Sequence, residues 1–454
     1  MNTQQLQDDN ARYLWHPMAH PLAMQKNKPD IIARGEGSWV WDLQGHKMLD
    51  GVGGLWSCNL GHSNRVVRDA IVAQLDELPF YNVFRGTTHP RAIELSAEMV
   101  RLMAPENVGA VAFSNGGSDA VETALKIARQ YHKLRGQGDR SKFIGLRQGY
   151  HGVHFGGMSV NGNTNFRRAY EPLLPGCFHV DTPWLYHNPY TDDPQKLGDI
   201  CAELLEREIV FQGPDTVAAF IAEPVQGAGG VIVPPANYWP QVRRICDQYG
   251  VLLIADEVVT GFGRSGEMFG TRLWGVQADL WCLAKGITTG YIPMGATAIS
   301  RKVTEVFEAD TTGAGALSHG YTYSAHPVAA AAALATLQQL QALDVVGHVR
   351  RVGARMQQRL QGLTDQFGMV GDVRGIGLMT GIEMVTDKAR RKPMTRASTE
   401  PARVAKAAYD AGLMVRVSGP NLILSPPLII TEEEVDFMCD VLEGAFSAVQ
   451  EGRA

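Results

Sequence analysis

Three predicted strand ends in the middle of this chain carry groups able to do chemistry. Glu223 closes the apolar run Val217–Glu223, Asp256 and Glu257 follow the five aliphatic or small residues Val251–Ala255, and Lys285 follows Asp279–Ala284. In open α/β sheets ligands are held at the carboxyl ends of the strands. A charge there is costly unless paired, so Asp256 or Glu257 must meet a cation. A strand-end lysine is, on its own, solvated or paired with an acid, but beside a carbonyl ligand it is also a nucleophile. Upstream, Ala110–Ser114 reads as a strand running into Asn115-Gly116-Gly117-Ser118 and then a helix, with Ser118 the expected N-cap. Such a turn presents free N–H groups and a positive dipole end to an anion, although a plain βα turn has the same composition. In Arg147–Gly157, RQGYHGVHFGG, Tyr150 and His151 sit among glycines, where a flat ring can approach a flat ligand closely.

The elements that must position these groups follow an α/β rhythm. Helices are expected over Asn64–Leu78, Arg91–Met103, Asp199–Phe211 and Tyr238–Tyr249, and strands alternate with them, which argues for a mostly parallel, layered sheet. An alanine-rich helix begins at Pro327, and beyond it helices (Val345–Leu363, Pro401–Ala411, Thr431–Val449) mix with short strands (Gly377–Met384, Leu413–Arg416, Leu422–Ser425) in a second, smaller α/β domain. Residues 1 to 60 read as irregular apart from two short strands joined at Gln44-Gly45, and residues 160–195 as a long surface excursion. At 454 residues two domains sharing an interface are expected. With 47 acidic against 42 basic residues the chain has no basic excess to suggest nucleic acid. A polar start and the lack of any apolar run of roughly 20 residues argue against secretion and membrane insertion. Six scattered cysteines without CxxC spacing read as reduced core residues, consistent with a cytoplasmic address. His16 and His20 have HxxxH spacing, but Pro17 lies between them and no third ligand is evident, so capping or structural roles are expected.

An anion-binding turn, a flat aromatic, a strand-end acid and a strand-end lysine on one sheet edge match what pyridoxal phosphate needs for its phosphate, ring face, ring nitrogen and aldehyde. The ordered motifs GGSDA, GYHG, AEPVQGAGG, IADEVVTGFGRSG, LAKGI and GYTYSAHP resemble the class III aminotransferases within the fold type I pyridoxal phosphate enzymes, over nearly the whole chain. The resemblance is strongest to the ω-transaminases, which move amino groups from terminal amines or ω-amino acids to pyruvate. It implies a large cofactor-binding domain over 58–326 and a smaller α/β domain built from 327–454 and the segment 1–57. It also implies that Lys285 joins the cofactor aldehyde, Asp256 pairs with the pyridine nitrogen, and Gly117 and Ser118 hold the phosphate. Thr322 from the other subunit of a homodimer would join them, with a dimer of dimers left open. Tyr150 would stack on the ring, Val258 would pack on its opposite face, and Glu223 with Gln226 would lie close by.

For substrate, the resemblance implies that Trp56, Phe84 and Tyr150 line the pocket, with Phe84 reaching across the dimer, and that Arg416 in MVRVSGPNLILSPP grips the carboxylate of a keto acid. Arg85 stands where many relatives have a second aromatic, and is read either as a bias toward acidic substrates or as an ordinary surface arginine. The donor is left open among diamines, ω-amino acids, taurine-like sulfonates and aromatic amines. Three rivals compete with this reading. A decarboxylase, aminomutase or racemase would share the lysine and aspartate. GFGRSG satisfies GxGxxG, as a nicotinamide-dependent oxidoreductase would, but two acids precede it and no convincing helix follows. A silent binding protein would not need Lys285 and Asp256 together.

Overall fold

The computed structural model describes residues 2–84, 86–395 and 397–453, and Arg85 lies outside them. Its centre is a seven-stranded sheet made of β4 (Val108–Ser114), β5 (Lys142–Leu146), β6 (Cys177–Val180), β7 (Val217–Ala222), β8 (Leu252–Asp256), β9 (Leu280–Leu283) and β10 (Gly295–Ser300), in the order β4-β10-β9-β8-β7-β5-β6. The run from β6 to β9 is parallel, and β10 is antiparallel to both of its neighbours. Every residue of β7, β8 and β9 is buried, as expected for strands covered on both faces.

Alternation along these strands divides the core in two. Leu252, Ile254, Ala219, Ile221, Leu280 and Cys282 pack with Ala120, Ala124 and Ile127 of the helix Gly117–Leu134. Leu253, Ala255, Phe220, Ala222, Trp281 and Leu283 fall in the other core, with Trp239, Val242 and Ile245 of the helix Tyr238–Tyr249. The period of two therefore gives Asp256 to the face of the glycine turn and Glu257 to the opposite face. There Glu257 is fully buried, accepting hydrogen bonds from Gly270 N, Thr271 N and Thr260 Oγ1.

Two smaller sheets flank the large one. β1 (Ile32–Glu36), β2 (Trp39–Asp42) and β3 (Lys47–Asp50) are joined by β14 (Leu413–Met414), which runs parallel to β3. The other is β11 (Val370–Ile376), β12 (Met379–Asp387), β16 (Asn421–Leu424) and β15 (Arg416–Ser418), with β13 (Lys392–Pro393) beside β12. The alanine-rich helix Pro327–Ala342 packs against the helices Arg65–Glu77 and Pro90–Leu102, and its alanines Ala329–Ala333 are buried within this chain.

Several expectations are corrected. The first sixty residues contain the helices Thr3–Tyr13 and Pro21–Lys26; the first buries no residue, so it lacks the apolar stripe by which a helix is read. His20 caps the second helix, and His16 bonds Asn10. Leu413–Arg416 is split between two sheets, and the excursion 160–195 supplies the edge strand β6. The helix Arg65–Glu77 covers the core with Val67 and Gln74, while Val66 and Leu75 are exposed.

The three sheets meet at Arg264, in the GFGRSG loop. Its fully buried guanidinium donates to Leu378 O, Pro426 O and Asn59 Oδ1, and burial lowers its pKa to about 9. Arg264→Leu should leave all three acceptors unmet and reduce stability by about 3 kcal/mol, at about 1 kcal/mol for each stranded group. Denaturation midpoints test this; a loss below about 1 kcal/mol would show that the junction is held by apolar packing alone.

Candidate active site

A cavity of about 490 Å³ opens at the carboxyl ends of β7, β8 and β9. Gly117, Ser118, Tyr150, Glu223, Asp256, Val258, Lys285, Trp56 and Arg416 all line it. Nine of the residues singled out in the sequence, scattered over 360 positions, thus converge on one cleft.

At its floor Asp256 is 4% exposed. Its Oδ2 accepts a 2.8 Å hydrogen bond from His151 Nδ1, and its Oδ1 accepts from Val258 N. His151 is buried and its Nε2 has no partner among the described residues. Glu223 accepts from Tyr150 N at 3.0 Å and from Gly227 N at 2.8 Å, which ties the strand-end acid to the aromatic loop. Burial raises its carboxyl to about 7, with His151 opposing and Asp256 reinforcing the shift. Gln226 donates to Arg147 O and braces the same loop from below.

Lys285 begins a short 3-10 turn with φ 47°, a left-handed conformation that is strained for a residue with a side chain. Burial lowers its pKa against the pull of Asp256 and Glu223, which favours the neutral, nucleophilic amine. No hydrogen bond or ion pair holds its Nζ among the described residues.

The glycine turn enters the cleft at the start of the helix Gly117–Leu134. Gly116, not Ser118, is the N-cap, and no side chain caps the helix. Ser118 lies inside the first turn and its Oγ accepts from Val153 N. The first amides are therefore left for an anion. A Cβ on Gly117 would come within 2.9 Å of Val258 Cγ1, so the absence of a side chain lets the turn and the strand end close on one another.

Other walls are mostly apolar: Leu55, Trp56, Phe166, Val259, Ile292 and Met294. The ring of Phe166 meets that of Tyr150 edge to face at 5.0 Å. Arg416 enters from β15, and burial lowers its pKa. It forms no salt bridge among the described residues. Phe84 and Thr322 do not line the cleft within one chain. Both are exposed, and Phe84 lies in a separate groove with Val83, His319 and Tyr321.

These features fit pyridoxal phosphate: an uncapped helix start, a carboxylate buttressed by a buried histidine, and an unpaired lysine share one cavity. The sequence reading had not included His151 in the site. Its signal was present, since it sits next to Tyr150 in the glycine-rich loop, but only the fold brings it to Asp256. GFGRSG is no dinucleotide turn: its arginine is buried in the domain junction, and the next helical turn, Gly270–Trp274, starts four residues beyond the motif.

The family model for class III aminotransferases matches residues 23–446. A putrescine–pyruvate aminotransferase of Pseudomonas aeruginosa is 40% identical over 407 residues, spanning 89% of this chain and 88% of the relative. Among solved structures, a PLP-bound amine transaminase from an uncultivated Pseudomonas species superposes with a TM-score of 0.94 at 51% identity, covering 96% of this chain and 98% of that one. An ω-transaminase of Pseudomonas jessenii in complex with PMP gives 0.95 at 36% identity, covering 99% of each chain. The architecture is that of the fold type I pyridoxal phosphate-dependent transaminases. The chain belongs to the class III aminotransferases, and pyridoxal phosphate is its cofactor.

The shift at Glu223 makes a testable link to stability. Its folded-state pKa of about 7 lies above the ordinary 4.5, so the folded protein holds this proton more tightly between those values. That contribution is full below about pH 4.5 and is lost as pH rises through 7, by about 3 kcal/mol in the cofactor-free protein. Glu223→Gln should remove this slope in denaturation curves taken from pH 5 to 8; parallel curves for the two proteins would overturn the assignment.

Proposed function

We propose that this cleft transfers the amino group of a primary amine with an apolar side group, or of an ω-amino acid, to pyruvate or another 2-oxo acid in a ping-pong cycle. The observation that carries this reading is Arg416: a half-buried guanidinium with no salt bridge among the described residues, lining the same cavity as Lys285 among apolar walls. A 2-oxo acid supplies the missing carboxylate, and a neutral side group suits the apolar walls. A diamine's second ammonium would meet Arg416, and the two acids that line the cleft are already engaged, Glu223 by two backbone amides and Asp256 by His151 and Val258 N.

Pyridoxal phosphate, when bound, supplies an electron sink that lets the carbon bearing the amine lose its proton. Lys285 would hold the cofactor aldehyde and, once displaced by the donor, its Nζ would take the proton from the substrate carbon and deliver it across the nitrogen to the carbon that had carried the aldehyde. Asp256 keeps a carboxylate at the pyridine nitrogen, and His151 orients that carboxylate through Nδ1. The first-turn amides of Gly117 and Ser118 bind the phosphate. Tyr150 and Val258 enclose the ring, while Glu223 and Gln226 set the loop that carries Tyr150.

The protein acts in the cytoplasm as a homodimer. Exposed Phe80, Tyr81 and Phe84 form an apolar loop that a partner subunit would cover, bringing Phe84 and Thr322 to the neighbouring cleft. The unit 58–326 carries the cofactor, and 327–454 with 1–57 carries much of the substrate side, including Trp56 and Arg416.

The first test is spectroscopic. The visible cofactor band of the purified protein should be lost on adding 1-phenylethylamine and restored by pyruvate, with putrescine much less effective. A band that never recovers with any 2-oxo acid would leave the fold intact and remove the amino-transfer assignment in favour of a decarboxylase, aminomutase or racemase.

Arg416→Ala should raise KM for pyruvate by about 10- to 100-fold, the loss of a charged hydrogen-bonded pair, and change KM for 1-phenylethylamine far less. Steady-state kinetics with each substrate varied in turn would measure both; equal effects on the two would show that Arg416 does not meet the carboxylate.

A further inference from the structure

Trp56 and Arg416 lie 360 residues apart in sequence, yet the segments that carry them meet at Asp50, whose buried carboxylate holds the turn before Trp56 and whose backbone pairs with Met414. Asp50 ends β3 and is 2% exposed. Its Oδ1 accepts from Val52 N at 3.1 Å, and its Oδ2 accepts from Gly54 N at 2.8 Å and His62 Nε2 at 3.0 Å. Between these anchors the backbone of Gly53, Gly54 and Trp56 takes φ values of 56°, 64° and 62°. For tryptophan that conformation is strained, and it persists only where the surroundings impose it. The bent segment delivers Leu55 and Trp56 to the wall of the cleft.

The same segment is joined to the two stretches that flank Arg416, at Met414 just before β15 and at Ser425 just after β16. Asp50 pairs with Met414 in the parallel β3–β14 ladder, two residues before Arg416. Ser425 N donates to Gly51 O at 2.7 Å, and Ser425 Oγ donates to Val52 O at 2.8 Å. A Cβ on Gly51 would come within 2.4 Å of Met414 O, and one on Gly53 within 2.6 Å of Ser425 O, so the two stretches are in direct backbone contact. Trp56 then packs in a cluster with Ile423 and Met379, and Ile423 is the ladder partner of Arg416.

We infer that Asp50, held by His62, is a positioning residue that sets Trp56 and Arg416 as one unit, so that a single carboxylate governs both the apolar wall for the amine and the cation for the keto acid. None of the three hydrogen bonds it accepts reaches the turn at Gly117, the acid at Asp256 or Lys285. Its influence therefore falls on substrate binding and leaves the cofactor side alone. This rests on the cleft being the substrate site proposed above, and the spectral cycle of the unaltered holoenzyme tests that reading separately.

In holoenzyme, Asp50→Asn turns one acceptor into a donor that faces Val52 N–H in one orientation and Gly54 N–H and His62 in the other. KM should rise at least 5-fold for both 1-phenylethylamine and pyruvate, with kcat and cofactor affinity within 2-fold of the parent. His62→Ala, which keeps the carboxylate and removes one hydrogen bond, should move both KM values about 3-fold, and His62→Gln, which retains a side-chain N–H, should bring them back. If Asp50→Asn does not yield folded protein, the two His62 variants decide the matter. The inference is overturned if only one KM responds, if neither does, if kcat or cofactor affinity falls while KM holds, or if His62→Gln behaves as His62→Ala.

Discussion

A carboxylate delivered to the dry edge of a parallel sheet cannot stand alone, and the rest of the site depends on how Asp256 is satisfied. One oxygen is engaged by Val258 N and the other by His151 Nδ1. His151 is itself buried and carries an unpartnered Nε2, so the pair is inserted into the core as a unit and not neutralised by solvent. Such a dyad is costly unless a further cation completes it. A cofactor whose ring nitrogen gains a proton when it meets the carboxylate supplies that cation. Lys285 and Glu223 answer to the same dry environment in opposite senses, since burial lowers the lysine's pKa and raises the glutamate's. One low-dielectric pocket thus shifts the amine toward its neutral form and the acid toward its protonated form, side by side.

The cofactor side of this arrangement was legible in the sequence because it sits on the regular part of the fold. Asp256 and Glu257 could not be separated by composition, yet the alternation of Leu252, Leu253, Ile254 and Ala255 between two cores already assigns them to opposite faces. Glu257 proves to be a structural acid that closes the turn at Gly270 and Thr271, and Asp256 faces the glycine turn. Residues Gly117, Ser118, Tyr150, Glu223 and Lys285 follow from the same strand-end logic, because a parallel sheet presents all its carboxyl ends on one edge, whereas Val258 enters only through the family resemblance.

What was not legible lies where local pattern and tertiary contact part company. β10 is antiparallel in an otherwise parallel sheet, and its sequence GATAIS, mostly small residues, lacks the bulky apolar run that announces a strand. Ser118 looks like an N-cap, but the extended backbone of Gly116 starts the helix two residues earlier. The stretch Leu413–Arg416 reads as one strand, yet it changes sheets between Met414 and Arg416, a choice made by partners at Leu49 and Ile423 that local sequence does not contain. The helix Thr3–Tyr13 has no apolar face at all. Its start is fixed by Asn2 accepting from Gln5 N.

These failures are not scattered at random. The cofactor side is built from strands of four to seven residues inside a continuous core, whereas the proposed substrate side is assembled from the strained turn Gly53–Trp56, the three-residue β15 and the loop that brings Phe166. Short, mutually dependent pieces give weak local signals because no one of them is stable without the others. They also allow substrate preference to change by small backbone adjustments while Asp256, His151 and Lys285 stay in place. That division accounts for relatives named for such different amines sharing one architecture with this chain: the platform is set by long-range packing in the large sheet, and the pocket wall by a few hydrogen bonds at its rim.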